Sequence, residues 1–151
     1  SDRFFSLPSS SMALSPNDFP RRATDKLRYA DTDRQGHVNN AHFATFLETG
    51  RVEVLYDPND PLTGEGAEFV VAKMTVEFRG EVHWPGSVVI GTGIKAIGTS
   101  SVTVSQAVFR DDRCVATGET VIVQIDTDTR SSRPLTDRAR TRLSELRLDA
   151  A

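Results

Sequence analysis

The stretch "YADTDRQGHVNNAHFATFLETGRVEVL", residues 29–55, joins a dense polar turn to the strongest helical pattern in the chain. After the turn, an apolar stripe recurs at intervals of 3, 4, 7 and 11 residues and consists of Phe43, Phe46, Leu47, Gly50 and Val54. This spacing predicts a long helix with one buried face. Asn39 or Asn40 is suited to cap the start of the helix, and Asp57-Pro58 is expected to end it.

Alternating apolar residues on either side of this helix predict strands. The segments are 25–30, before the polar turn, and 68–79, 87–97, 101–110 and 114–126 after the helix. Short links between the later segments favour antiparallel neighbours. A short amphipathic helix is predicted from Thr136 onwards. One long helix against a mostly antiparallel sheet of about five strands is an α+β arrangement.

The size of the chain, 151 residues, predicts one domain. Residues 1–22 are rich in Ser and Pro, so we expect a poorly structured extension at 1–22 and a single domain at 23–151. A net charge of −3 gives no electrostatic reason to expect nucleic acid or an anionic membrane as a partner. The single cysteine, Cys114, and the lack of a signal-peptide pattern favour a cytoplasmic protein.

The turn "DTDRQGHVNN", residues 31–40, begins like a calcium-binding EF-hand loop. Such a loop needs Asp or Asn at its fifth position and Glu at its twelfth, where this chain has Gln35 and His42. A transition-metal site made of Asp33, His37 and His42 is also disfavoured, because the two histidines lack the i, i+4 spacing that places them on one helix face. We therefore expect no metal ion and no cofactor.

Acyl-group chemistry is a better use of the same turn. The start of a helix presents unpaired N–H groups and a positive dipole end, which stabilise an oxyanion. Gly36 allows the chain to turn sharply, and Asp33 could act as a nucleophile or as a base for water. The alternative is structural: Asp33 stabilises the turn through its own backbone, and Asn39 and Asn40 are ordinary caps.

Residues 29–55 resemble the hot-dog-fold thioesterases of the 4-hydroxybenzoyl-CoA thioesterase superfamily, whose motif is Asp-x-Asp-x-x-Gly-His-Val-Asn-Asn followed by a long helix. The resemblance implies a long central helix wrapped by a curved antiparallel sheet. It also implies a homodimer or homotetramer with active sites at subunit interfaces. The second Asp of the motif, here Asp33, would be catalytic, the oxyanion donor would lie near Asn40, and Asp31 would support the turn.

Other positions of this chain match the thioesterase pattern only in part. Acyl-carrier-protein thioesterases with this fold place Asn and His where this chain has Gln35 and His37, so His37 matches and Gln35 departs. His37 is therefore a further candidate catalytic residue that would polarise water or orient the acyl group, and Asn39 and Gly36 are candidate substrate-binding residues beside it. Glu48 and Arg51 are candidate substrate-binding residues on the helix, although they could equally form an i, i+3 ion pair on its surface.

The resemblance predicts an acyl-CoA thioesterase that hydrolyses its substrate to a carboxylic acid and free CoA. The alternatives are an acyl-carrier-protein thioesterase and a non-catalytic acyl-binding module with the same fold. A hot-dog hydratase is disfavoured, because its Asp and His lie five positions apart around Asn-Pro, whereas Asp33 and His37 are four apart. The acyl group is not predicted, since its pocket would form across a subunit interface.

Overall fold

The computed structural model describes residues 14–148. Its helices and strands are, in chain order, β1 (Arg21–Lys26), α1 (His42–Leu55), β2 (Ala67–Phe78), β3 (Ser87–Ile97), β4 (Ser101–Arg110), β5 (Arg113–Asp126) and α2 (Asp137–Ser144). The strands form one curved antiparallel sheet in the order β1-β3-β4-β5-β2, with α1 packed against β1, β3 and β4. The predicted α+β fold, a long helix with a five-stranded antiparallel sheet, is confirmed.

The apolar stripe of α1 lies against the sheet, as its spacing predicts. Phe43, Phe46 and Leu47 are buried together with residues of β3, β4 and β5, including Ile90. Each such side chain contributes about 1.5–3 kcal/mol by leaving water. At Gly50 the helix comes so close to the sheet that an added Cβ would lie 2.7 Å from Ile90 Cγ2. A side chain at this position would push the helix away from the sheet.

A second core cluster joins the far end of α1 to α2. Leu55 packs there with Phe69, Ile94 and Leu143, all of which are buried. The Thr136 hydroxyl caps α2 by accepting a hydrogen bond from the Ala139 N–H at 3.0 Å. No helix within residues 14–148 is both long and apolar enough to cross a membrane.

The first strand differs from the sequence prediction. It begins at Arg21 and ends at Lys26, whereas the predicted segment was 25–30, and residues 29–31 instead form a short 3-10 turn. Only Ala23 of this strand is buried, so its alternation signal is weak. The strand is placed by pairing with β3, in the register Ala23↔Ile90, which periodicity cannot reveal.

The last residues of the segment predicted as a poorly structured extension, 1–22, are part of the fold. Residues 16–18 form a 3-10 turn, and the buried Phe19 ring lies 6.0 Å from the ring of Phe109. Residues 1–13 of that extension lie outside the described residues.

The alternation predicted for β2 is interrupted. A register shift between Val71 and Lys73 separates its two halves. Phe69, in the first half, is buried, whereas Phe78, the last residue of the strand, is 48% exposed.

Candidate active site

Asp31 anchors the polar turn. Its buried carboxylate accepts hydrogen bonds from the Arg28 backbone N–H and guanidinium, both at 3.0 Å, and lies 3.2 Å from His42 Nε2. Burial alone would raise the pKa of Asp31, but the hydrogen bonds from Arg28 and the charges of His42 and Arg28 outweigh it and lower the pKa. Because His42 is the first residue of α1, Asp31 ties the turn to the helix.

The backbone of the turn is closed by its own hydrogen bonds. The Asp33 N–H donates to His37 O at 2.7 Å, and the Asn39 N–H donates to Asp31 O at 2.9 Å. Gly36 has a φ of +82°, a left-handed conformation that glycine adopts without strain. Gly36 therefore shapes the turn through its backbone, as the sequence predicted for a sharp bend.

The Asp33 carboxylate is exposed, and its two oxygens differ in their hydrogen bonds. Its Oδ1 accepts hydrogen bonds from the N–H groups of Gln35 at 2.9 Å and His37 at 3.1 Å, which is the turn-stabilising role that the structural alternative describes. Its Oδ2 makes no hydrogen bond within residues 14–148. One carboxylate group can therefore stabilise the turn with one oxygen and offer the other to a substrate or a water molecule.

The Asn40 amide lies just before the start of α1. Ala41, not Asn39 or Asn40, occupies the N-cap position, and no side chain within residues 14–148 caps α1. The Asn39 side chain instead accepts the Ala41 N–H at 2.9 Å, in the turn before the helix. The carbonyl groups of Asn39 and Asn40 accept from His42 and Phe43. No acceptor among the described residues contacts the Asn40 N–H, which lies at the positive end of the helix dipole.

These groups meet in a cavity of about 290 Å³ at the N-terminal end of α1. Its walls include Asp33, His37, Asn39, Asn40, Phe43 and Glu81. Four residues selected from the sequence thus line one cavity, while Gly36 stays in the turn beside it. We call this space the N-terminal cavity.

Sequence reasoning missed Glu81, which comes from the connection between β2 and β3. A backbone hydrogen bond from the Val38 N–H to Val82 O, 2.7 Å long, holds that connection against the turn. No pattern in the sequence near residue 37 indicates this contact, because it is made only by tertiary packing.

Glu48 and Arg51 do not line the N-terminal cavity. Glu48 is exposed on α1, whereas Arg51 is 5% exposed and packs with the buried face of the helix. Burial lowers the pKa of Arg51, although the charge of Glu48 opposes this effect. The Arg51 Nη1 group is buried and has no hydrogen-bond partner among the described residues. The two residues form no ion pair in the part of the chain that the structure describes.

A second cavity, of about 500 Å³, lies at the opposite end of α1. It is lined by Val52, Glu53, Tyr56, Asp57 and Pro58 of the helix end and by Arg21 of β1. We call it the C-terminal cavity. The Tyr56 hydroxyl donates to Phe69 O at 3.3 Å, and burial is the main reason that the pKa of this hydroxyl is raised.

Known proteins resemble this chain in sequence and in structure. Residues 27–145 match the model of the thioesterase-like superfamily. The acyl-CoA thioester hydrolase YbgC of Escherichia coli O6:H1 is 31% identical over 105 residues, which are 67% of this chain and 78% of that protein.

Two solved structures extend the likeness to the fold. A predicted thioesterase from Bacillus stearothermophilus is 28% identical with a TM-score of 0.76, over 83% of this chain and 95% of that one. A thioesterase from Thermus thermophilus, solved in complex with coenzyme A and Zn, is 29% identical with a TM-score of 0.72, over 83% and 98%. The chain therefore belongs to the thioesterase-like superfamily, and the fold and the enzyme class predicted from its sequence, a thioester hydrolase, are confirmed.

Proposed function

We propose that this protein hydrolyses acyl-CoA thioesters to a carboxylic acid and free CoA in the N-terminal cavity. One observation carries the proposal: the same cavity is lined by Asp33, whose Oδ2 makes no hydrogen bond within residues 14–148, and by Asn40, whose N–H has no acceptor there. The name of the YbgC relative and the coenzyme A bound to the Thermus thermophilus relative support CoA as the carrier of the acyl group.

The Asn40 N–H would bind the thioester carbonyl oxygen. As the carbonyl carbon is attacked, negative charge develops on this oxygen, and an amide donor at a helix N-terminus stabilises that charge. Because this amide makes no hydrogen bond among the described residues, it would not have to break one there before donating to the substrate carbonyl oxygen. Asn39 would hold the backbone before the helix in place, because its side chain accepts the Ala41 N–H.

Asp33 would activate the attacking group. As a general base, its Oδ2 takes a proton from water while the water oxygen bonds to the carbonyl carbon; the C–S bond then breaks and the CoA sulfur receives the proton. As a nucleophile, Asp33 Oδ2 would instead bond to the carbonyl carbon while the C–S bond breaks and CoA leaves as a thiolate. Water would then hydrolyse the mixed anhydride to the carboxylic acid and the Asp33 carboxylate, and the proton released would go to the thiolate. In both routes His37, on the same cavity wall, orients the water or the acyl group.

The alternative that the substrate is carried by an acyl-carrier protein has one observation in its favour. His37, which matches the histidine of acyl-carrier-protein thioesterases, lines the N-terminal cavity with Asp33. Gln35, which departs from that pattern, does not line it. This difference favours CoA as the carrier.

Glu48 and Arg51, which the sequence suggests as substrate-binding residues, lie outside the N-terminal cavity. Since neither residue lines it, we propose that they act only on a substrate that extends along α1 or reaches a neighbouring subunit.

We also propose a homodimer or homotetramer, because β2 is an edge strand with the exposed apolar residues Val71 and Phe78. Light scattering after size-exclusion chromatography measures this directly. The cytoplasmic location stays a prediction.

Free thiol release from a panel of short-chain, long-chain and aromatic acyl-CoAs tests the function. We expect turnover on at least one class, and faster turnover than on the same acyl group attached to a carrier protein. Stoichiometric binding of acyl-CoA without thiol release would contradict the proposal and favour the non-catalytic acyl-binding module.

A further inference from the structure

Three potential metal ligands meet beside the N-terminal cavity. The ligand atoms of His37, Glu81 and His83 all lie within 4.8 Å of one another. His37 is half-buried in the cavity wall, whereas Glu81 and His83 are exposed. No local sequence pattern indicates this cluster, because His37 belongs to the polar turn and the other two residues to the connection between β2 and β3. His42, the residue considered with His37 in the sequence, is instead bound to Asp31.

The backbone holds the two histidines next to each other. His37 and His83 are partners in an antiparallel bridge, and the neighbouring Val38 N–H donates to Val82 O at 2.7 Å. Directly opposite residues in such a pairing bring their side chains together. The two imidazole rings have centroids 4.5 Å apart and an interplanar angle of 82°. The backbone positions of the two histidines are therefore set by main-chain contacts that do not depend on a ligand.

The spacing of the ligand atoms suits a small tetrahedral ion. Zinc bonds of about 2.0–2.2 Å to nitrogen and oxygen place neighbouring ligand atoms about 3.4 Å apart. His37 Nε2 and Glu81 Oε1 are already 3.5 Å apart. The remaining separations are at most 4.8 Å, and the Glu81 and His83 side chains are exposed, so both have room to turn towards an ion.

We propose that His37, Glu81 and His83 bind a transition-metal ion, Zn²⁺, and that the bound ion inhibits thioester hydrolysis. Two imidazoles and one carboxylate favour Zn²⁺ over Mg²⁺ and Ca²⁺, which require mostly oxygen ligands. The inhibition, which rests on the proposed function, follows from position. Because His37 and Glu81 line the N-terminal cavity, the ion occupies its wall and withdraws His37 from the substrate.

Calorimetric titration of ZnCl₂ alone into the metal-stripped, tag-free protein tests the site without any substrate. We expect one Zn²⁺ per chain, and affinity weakened at least about tenfold in both His83→Ala and Glu81→Gln. The matched controls are His42→Gln, which changes the histidine outside the cluster, and MgCl₂, which should give no heat of binding. A wild-type protein that binds no Zn²⁺, or a His83→Ala protein that binds it as tightly as the wild type, would overturn the site.

Turnover with increasing Zn²⁺ tests the inhibition. The loss of thioester absorbance is the suitable readout, because Zn²⁺ binds the thiol that a thiol reagent would detect. We expect wild-type turnover to fall at the Zn²⁺ concentration that fills the site, and His83→Ala to keep its metal-free turnover at that concentration. Unchanged or increased turnover with the site filled would overturn the inhibition. If no acyl-CoA is hydrolysed, the proposed function fails while the calorimetry still decides the metal site.

Discussion

The two ends of α1 each open onto a cavity, and the two cavities differ in what they can do. The C-terminal cavity is the larger, about 500 Å³ against about 290 Å³. The N-terminal cavity lies at the positive end of the helix dipole and is lined by Asn40 and Asp33. Within residues 14–148, the Asn40 N–H has no acceptor and Asp33 Oδ2 makes no hydrogen bond. The end of a helix that faces the C-terminal cavity carries the negative end of the dipole, which disfavours an oxyanion. For this chemical reason, and despite its smaller volume, we place the proposed reaction in the N-terminal cavity.

The largest expected effect of a substitution is at Asp33. Asp33→Asn keeps an oxygen that can accept the N–H groups of Gln35 and His37, but an amide is neither a base nor a nucleophile at neutral pH. We expect turnover to fall about 10²- to 10⁴-fold, with the free energy of unfolding changed by less than about 0.5 kcal/mol. Initial rates and denaturant unfolding measure the two effects. Near-normal turnover of the folded variant on every thioester would remove Asp33 from the mechanism.

Removal of one N–H group tests the oxyanion donor. Asn40→Pro lacks the backbone N–H, whereas Asn40→Ala keeps it and loses only the side chain. Since this N–H has no acceptor among the described residues, its removal breaks no hydrogen bond there. We expect the proline variant to lose about 10²- to 10³-fold in kcat and the alanine variant to stay near the wild type. Circular dichroism verifies folding, and a folded proline variant with wild-type kcat would rule out this amide.

Asp31 should affect stability in a pH-dependent way. Its lowered pKa stabilises the fold above the ordinary carboxyl pKa, about 3.9, and this contribution is lost as the pH falls through the folded value. We expect Asp31→Asn to cost about 1–3 kcal/mol at pH 7 and the difference from the wild type to shrink below about pH 4.

Denaturant unfolding from pH 7 to pH 3 measures the Asp31 effect. Asp111→Asn is the matched control, because this side chain is 90% exposed and lies 3.4 Å from Arg110 Nε. A difference between Asp31→Asn and the wild type that does not vary with pH would contradict the assigned role.

The smallest expected effect is in the C-terminal cavity. Tyr56→Phe loses the hydrogen bond to Phe69 O and should cost about 0.5–1.5 kcal/mol of stability. Since the N-terminal cavity is unchanged, we expect kcat to stay within about twofold of the wild type. Thermal unfolding and initial rates on the same acyl-CoA measure both effects. If Tyr56→Phe lost as much kcat as Asp33→Asn, the reaction would have to involve the C-terminal cavity, which contradicts the proposed site.

The sequence predicts well those features that depend on neighbouring residues. The buried stripe of α1 and the strands β3 to β5 follow from local periodicity, and Asp33 and Asn40 lie within the same ten-residue motif. The position of β1 depends on pairing with β3, and the contact of Glu81 with His37 depends on a backbone bridge between distant segments. Such features arise from tertiary structure, so no local pattern carries them.

Arg51 shows the same limit in a single residue. A helix position occupied by arginine is usually exposed, and the sequence offered a surface ion pair with Glu48 as its alternative role. In the structure Arg51 follows Gly50 into the buried face of α1. The stripe of apolar residues predicts which side of α1 faces the sheet. It does not predict how many neighbouring positions are buried as well where the helix comes close to the sheet.

A structure with an inert substrate analogue tests the central claim most directly. In a ketone analogue of an accepted acyl-CoA, a CH₂ group replaces the thioester sulfur, so the carbonyl group remains but cannot be hydrolysed. We predict the carbonyl oxygen about 3 Å from the Asn40 nitrogen, with the carbonyl carbon facing Asp33 Oδ2. A carbonyl group bound in the C-terminal cavity, beside Val52 and Tyr56, would contradict the account.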